Sequence, residues 1–362
     1  MKKNPYTLVL LGAGHSNLSV INDFGKQFIK DLQVIVVSKF SHSFYSGMLP
    51  GLISGRYNTK DVQIDLNKIC KFYNFEFINS EVTTLNCSQN YMILKNKKII
   101  NFDVLSINTG GEISNEKIQG AKKFSTSIKP ITEFINNLKN FKFSFSKIKN
   151  INISVIGGGA GSIEVALSIN KYLENNFKSK NYKIIIISKS KELLKNFSNS
   201  LKAKVSRYLS KKNIHYLIEE EVTHIFPNKL LTAKGLSLNS NFNFLATNID
   251  PPKWLKQTNL KLSKRGFVEI NNYLQNKSFD NIFASGDIVD LEDYQIPKSG
   301  VFAVKQGEIL SYNLRKYFTG GNLKKYFPQK KSLSLIGNGF NFAFFSYGKL
   351  TFSGYVFWIL KD

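Results

Sequence analysis

Short runs of uninterrupted apolar residues alternate along this chain with stretches whose apolar positions return every three to four residues. Tyr6–Leu11 (YTLVLL) ends in Gly12-Ala13-Gly14, helical spacing follows from Leu18 to Ile29, and a second apolar run, LQVIVV, occupies 32–37. Continuous apolarity over so few residues marks strands covered on both faces. The order strand, glycine turn, helix, strand therefore predicts a parallel βαβ unit. The same order returns at Ile151–Ile156, Gly157-Gly158-Gly159, a helix from Ile163 to Leu173, and the strand 182–187 (YKIIII). The two units lie about 145 residues apart and form a weak internal repeat. Further strands are predicted at 75–78, 82–86, 91–94, 104–108, 214–217 and 221–225. The polar, lysine-rich stretch 122–150 reads as the crossing between the units, and 247–252 as a turn with a Pro-Pro pair. A short strand then delivers Gly286-Asp287. A helix from Gly300 to Phe318 follows between Pro297-Lys298-Ser299 and Thr319-Gly320-Gly321, and the aromatic tail alternates like strands at 340–346 and 349–352. The pattern is that of an α/β protein with two parallel-sheet units and a small C-terminal α+β unit.

Composition narrows the classes. With 362 residues the chain exceeds what one core usually organises. The net charge of +25 raises nucleic acid or anionic lipid as partners. However, only Arg56, Arg207, Arg265 and Arg315 among the 50 basic residues are arginines, the residue type that reads phosphate and guanine bidentately, and the lysines are dispersed rather than gathered in a stripe. Nucleic acid is not an expected partner. The two cysteines, Cys70 and Cys87, are too few for a disulfide scaffold, a zinc site or an iron–sulfur cluster, and no metal ligands are expected. A reduced, cytoplasmic location fits. The polar residues Met1–Tyr6 have no signal-peptide character, and no apolar run reaches the roughly 20 residues of a spanning helix.

The glycine turns carry the candidate chemistry. A GxGxxG turn between strand and helix lets backbone approach a pyrophosphate and sets that anion against free N–H groups at a helix N-terminus. Gly12 and Gly14 fill the first two positions of the first turn. Asn17 stands in the third, where it either spreads helix and strand apart or offers an amide to a ligand. Gly157 and Gly159 match in the second turn, with Ser162 third. The acidic residue that usually grips ribose hydroxyls at the end of the next strand is replaced by Ser38-Lys39 and by Ser188-Lys189. Lys189 and Lys191 either meet a 2′-phosphate, favouring NADPH, or form a solvated surface pair.

Six motifs together resemble a known superfamily: Leu11 to His15, Tyr45 to Gly51 (YSGMLPG), Phe102 to Gly110 (FDVLSINTG), Gly157 to Glu164, Phe283 to Asp287 (FASGD) and Pro297 to Val304 (PKSGVFAV). Over nearly its full length the chain resembles the pyridine nucleotide-disulfide oxidoreductases. The likeness is strongest to the branch fused to or encoded with selenide, water dikinase, itself similar to type II NADH dehydrogenases. The resemblance implies two Rossmann-like domains: an FAD-binding domain made of 1–122 and 250–325, an NAD(P)H-binding domain of 123–249, and a small C-terminal unit of 326–362. It implies that Asp287 binds the flavin's ribityl hydroxyls, that Ser299 and the helix after it aim their positive end at the flavin N1/O2 edge, with Lys298 adding charge there, and that Met48, Leu49 and Pro50 exclude water from the ring. His15, Ser38, Thr109 and Gly110 join the FAD set, and Glu164 is implied near the nicotinamide. Structural readings stand beside these: a helix-capping aspartate, a surface lysine, a simple turn at 45–51, a carboxylate suited to a helix dipole and a locally bonded histidine.

Disulfide-reducing relatives relay electrons through a close cysteine pair. Cys70 and Cys87 are 17 residues apart, one on a predicted helix and one on a predicted strand, and read as buried bystanders. The expected activity is hydride transfer from nicotinamide C4 to flavin N5 and onward to a quinone or another small acceptor. The alternatives are a selenium or sulfur redox enzyme with selenide, water dikinase as partner, and a flavin-binding interaction module. The aromatic tail and positive surface leave peripheral contact with the cytoplasmic membrane face open.

Overall fold

In the computed structural model, which describes residues 5–113, 116–178, 180–329 and 331–361, the run Tyr6–Leu11 is a central strand. It pairs in parallel with Leu32–Ser38 on one side and Val104–Ile107 on the other. Glu76–Asn79 extends this sheet beyond the first partner and Phe279–Ala284 beyond the second, again in parallel. Gln275–Asn276, Val268–Ile270 and Val289–Leu291 complete eight strands. Leu8, Leu10, Val36, Leu105, Ile107 and Ile282 are fully buried, as parallel strands covered on both faces require.

The helix His15–Lys26 buries Val20, Ile21 and Phe24 and packs against the helix Gly300–Thr319. Their approach is close because Gly307 has no side chain: a Cβ there would lie 2.7 Å from Ser19 Oγ and 3.1 Å from Ser16 Cα. Ser16 Oγ donates to the Ala303 carbonyl at 2.6 Å, and Arg315 pairs with Asp23 at 2.7 Å. These segments form one unit, Met1–Ser43, Gln63–Glu112 and Ile249–Lys330; the other comprises Phe44–Val62, Ile113–Asn248 and Lys331–Asp362.

The second unit has a parallel sheet of five strands ordered Thr126–Ser127, Phe242–Leu245, Asn150–Ile156, Asn181–Ile187 and Ile214–Leu217. The helix Ala160–Asn176 buries Ile163, Val165, Ala166, Leu167, Ile169 and Leu173, so it extends beyond both ends of the apolar stretch that announced it. Helix Leu49–Ser54 packs on it. The stretch 122–150 is not the polar crossing expected: the helix Ile131–Lys147 occupies most of it, burying Phe134, Ile135, Leu138 and Phe145. Its lysines masked a regular apolar stripe. The tail folds as an antiparallel sheet of Ser334–Gly337, Ala343–Tyr347 and Leu350–Gly354 followed by the helix Tyr355–Lys361. Tyr208 stacks on Phe342 with ring centroids 4.1 Å apart.

Candidate functional site

In the first unit the glycine turn is fixed from below. Gly12 N–H donates to the Val37 carbonyl at 2.8 Å and has φ +83°, and a Cβ on it would lie 2.6 Å from the Asn108 carbonyl oxygen. A Cβ on Gly14 would strike the Asn108 carboxamide. Both glycines are therefore demanded by the protein's own packing. Asn17 is fully buried and turns its amide inward. Its Nδ2 donates to the Gly12 carbonyl at 2.7 Å, and its Oδ1 accepts from Ser106 Oγ at 2.7 Å. The third position of the turn is thus a staple between helix and strand. His15 begins the helix half-buried, with its carbonyl accepting from Ser19 Oγ.

Three further segments converge on the ends of these parallel strands. Ser38, buried, accepts the Phe40 N–H at its hydroxyl and the Asn79 amide at its carbonyl. After Asn108, Thr109 is exposed and Gly110 has φ +78° with nothing within 4 Å of where a Cβ would stand. Gly286, φ +78°, donates its N–H to the buried Gln306 Oε1 at 2.6 Å and is followed by the half-buried Asp287. The neighbouring Ser285 hydroxyl is buried with no hydrogen-bond partner. Ser299 is the N-cap residue of the helix Gly300–Thr319, and its side chain makes no capping bond. Open space beyond Gly110 and an unsatisfied hydroxyl beside the aspartate turn fit an extended polar cofactor laid over the strand ends.

Lys298 has a more internal setting than a surface lysine. Its side chain is 10% exposed, its ammonium bonds Asp290 Oδ1 at 2.8 Å and the Val289 carbonyl, and it lies over the Phe267 ring at 3.9 Å. Burial pushes the ammonium's pKa down, against the bond and charge of Asp290. Burial by itself raises the Asp290 carboxyl, but Lys298, Ser263 and Arg265 outweigh it and hold that carboxyl below its ordinary range.

In the second unit, Gly157 has φ +135° and faces the Ala246 carbonyl, while the buried Ser162 donates to that carbonyl at 3.2 Å and so ties helix to strand. Gly159 differs. Its backbone is extended (φ −89°, ψ −179°), and nothing lies within 4 Å of a Cβ on it, so neither conformation nor packing demands glycine there. A ligand's backbone approach would. Ser188 is buried against Gly158, and the exposed Lys189 pairs with Glu221 at 3.3 Å. Glu164 Oε1 accepts from Lys361 Nζ at 2.7 Å and from the Gly337 N–H at 3.2 Å. Pro50 is buried and Met48 and Leu49 are half-buried; all three belong to this unit, at the helix Leu49–Ser54.

Both cysteines are free and buried. Cys70 lies on the helix Leu66–Phe72, and Cys87 just follows the strand Val82–Asn86 rather than lying on it. Each is 1% exposed in the core, and burial pushes the thiols up to about 11 and about 12. Sequence reasoning passed over Asn108, Ser106, Gln306 and Lys361. The signal for the first two was present: polar residues in a run (VLSIN) that otherwise reads as a fully buried strand.

The model for the pyridine nucleotide-disulphide oxidoreductases matches residues 6–307. The type II NADH:quinone oxidoreductase of Staphylococcus aureus is 21% identical over 350 residues, 90% of this chain and 86% of that protein. Among solved structures, the sulfide:quinone oxidoreductase of Aquifex aeolicus superposes with a TM-score of 0.83 at 19% identity, covering 98% of this chain and 89% of that one. The NDH2 of Plasmodium falciparum, solved in complex with NADH, gives 0.83 at 16%, covering 98% and 93%. Two sheets with parallel central strands, each with a glycine turn at its strand ends, and a family match across most of the chain lead to one conclusion: this chain belongs to the pyridine nucleotide-disulphide oxidoreductase family, the FAD-dependent oxidoreductases of NAD(P)H.

Proposed function

We propose that the protein oxidises NAD(P)H through FAD and passes the electrons to a quinone or another small acceptor without a redox disulfide. The observation that carries this reading is the state of the only two cysteines: both are buried, one on a helix and one in the turn after a strand, with thiols too basic to react as thiolates near neutrality. When bound, FAD supplies the two-electron chemistry between nicotinamide and acceptor.

The chain's own residues bind and orient. Gly12, Gly14 and the helix beginning at His15 take the FAD pyrophosphate, Ser38 and Thr109-Gly110 border the adenosine side, and Gly286-Asp287 holds the ribityl chain. Ser299 and the helix it begins present N–H groups to the ring, and Lys298, through its pair with Asp290, fixes the approach to that helix. Gly157, Gly159 and Ser162 form the NAD(P)H turn. Lys189, paired with Glu221, is available to a 2′-phosphate only by exchanging that partner, which supports NADH. Glu164, tied to Lys361, orients the nicotinamide side, and Met48, Leu49 and Pro50 exclude water.

Purified protein is expected to be yellow and to bleach anaerobically with NADH, and the double variant Cys70→Ser, Cys87→Ser to bleach at the parent rate. A colourless protein, or loss of reduction in the double variant, would refute the scheme. Turnover with a soluble quinone, compared with polysulfide and selenite, separates a quinone reductase from the sulfur or selenium enzyme supplying a selenide, water dikinase.

Peripheral membrane contact is part of the proposal. Among the described residues no helix is long and apolar enough to cross a membrane. The helix Tyr355–Lys361 nevertheless exposes Tyr355, Val356, Ile359 and Leu360, from 54% to 71%. Co-sedimentation with anionic vesicles is expected, and its loss in a Val356→Asp, Ile359→Asp variant would assign the contact to this helix.

A further inference from the structure

Asn108 is buried, 3% exposed, directly beneath two turns that come from distant parts of the sequence. Its carboxamide bonds both. Oδ1 accepts from the Asn17 N–H at 3.2 Å, at the start of the first helix, and Nδ2 donates to the Ser285 carbonyl at 2.7 Å, just before Gly286-Asp287. One partner is a donor and the other an acceptor, so only one orientation of the amide serves. The main chain of the same residue bonds the Leu11 carbonyl at 2.8 Å and the Gly14 N–H at 3.2 Å. A Cβ on Gly12, Gly14 or Gly286 would collide with Asn108 in every case. Three of the glycines that mark the first cofactor turn and the aspartate turn are thus required by this one side chain and its carbonyl.

We infer that Asn108 is the positioning residue of the FAD cradle, its amide setting the spacing between the Gly12–Gly14 turn and the Gly286-Asp287 turn. The inference rests on the proposed binding of FAD in the first unit. Asparagine does what neither of its isosteres does unconditionally. An ionised aspartate accepts but cannot donate, so it would set a carboxylate oxygen against the Ser285 carbonyl. A protonated aspartate restores both bonds, its hydroxyl donating to Ser285 and its other oxygen accepting from Asn17. Burial raises such a carboxyl's pKa, which brings the change of state into the range of mild acid.

The test is FAD affinity of Asn108→Asp, measured by flavin fluorescence and by FAD-to-protein ratio after gel filtration, at about pH 5.5 and about pH 8. His15 and Asp287 are the titratable residues flanking the two turns, and the parent protein at both pH values accounts for their contribution. At the higher pH N108D is expected to bind FAD at least about tenfold more weakly than the parent, recovering most of that loss at the lower. Retention equal to the parent at both values, or a loss that acid does not restore, overturns the role of Asn108. If N108D fails to fold, Asn108→Ala decides: an apoprotein that is folded by circular dichroism and binds FAD at least about tenfold more weakly supports the inference, and unchanged affinity overturns it. A parent protein that takes up no FAD would instead refute the reading on which this rests.

Discussion

Replacing Gly339 with alanine is expected to destabilise the second unit by about 3 kcal/mol, the sum of roughly 1–2 for an L-residue in left-handed backbone and roughly 1–3 for overpacking. Gly339 has φ +70°, and a Cβ on it would fall within the Pro50 carbonyl and the Gly51 amide. Neither obstacle is a side chain that can swing away. Both belong to the helix Leu49–Ser54, which Ser54 Oγ ties to the turn by donating to the Gly51 carbonyl at 3.0 Å and the Gly339 carbonyl at 2.9 Å. The turn itself is fixed by Asn338, whose Oδ1 accepts from the amides of Phe340, Asn341 and Phe342. Urea unfolding of the variant checks this, and a loss below about 1 kcal/mol would show that the turn relaxes.

Removing the Asp290 carboxylate is expected to cost about 3 kcal/mol, because a buried ammonium loses its ion-pair partner and keeps only the more remote charge of Asp287. Asp290→Ala leaves Lys298 with the Val289 carbonyl and the Phe267 ring, whereas Lys298→Met leaves Asp290 near Arg265, at 3.7 Å, and bonded to Ser263. The aspartate variant is therefore the more damaging of the two.

The pH dependence has two arms. Asp290, held below its ordinary value, contributes stability that is fully present above the unfolded carboxyl's pKa of about 4 and is lost as pH falls through the folded value. Lys298, pushed down by burial, binds its proton less tightly folded than unfolded. Its cost is present below the folded pKa and is relieved as pH rises from there towards about 10.4. Asp290→Ala should lose the acid arm and gain stability earlier on the alkaline side, as thermal melts across pH will record. Equal, small effects of the two variants would show that the ions are solvated.

Both βαβ units were legible because their buried parallel strands are short, mostly apolar runs, each first strand ending in a glycine turn. The helix Ile131–Lys147 was not, since its lysines and asparagines dilute the stripe formed by Phe134, Ile135, Leu138 and Phe145. Phe242–Leu245, a buried strand of the second sheet, was passed over because Asn243 interrupts it; that amide bonds Ser240 and the Phe124 carbonyl. Asn17 left two readings open, a spreading of helix and strand or an amide offered to a ligand, whereas the structure turns its carboxamide inward to Gly12 and Ser106. The ion pairs of Lys298 and Glu164 were beyond reach for a different reason. In a chain with 50 basic residues, nothing in the order of the letters tells which lysine is buried.

Gly307 wedges the helices His15–Lys26 and Gly300–Thr319 together at near-backbone distance, with Ser16 bonded to Ala303 and Arg315 to Asp23 on either side of the crossing. The two helices are thus pinned at three points along their crossing. On the proposed placement of FAD, widening the bed beneath a bulkier flavin derivative would demand matched changes on both helices at once, and single-site libraries on either would meet mostly broken protein.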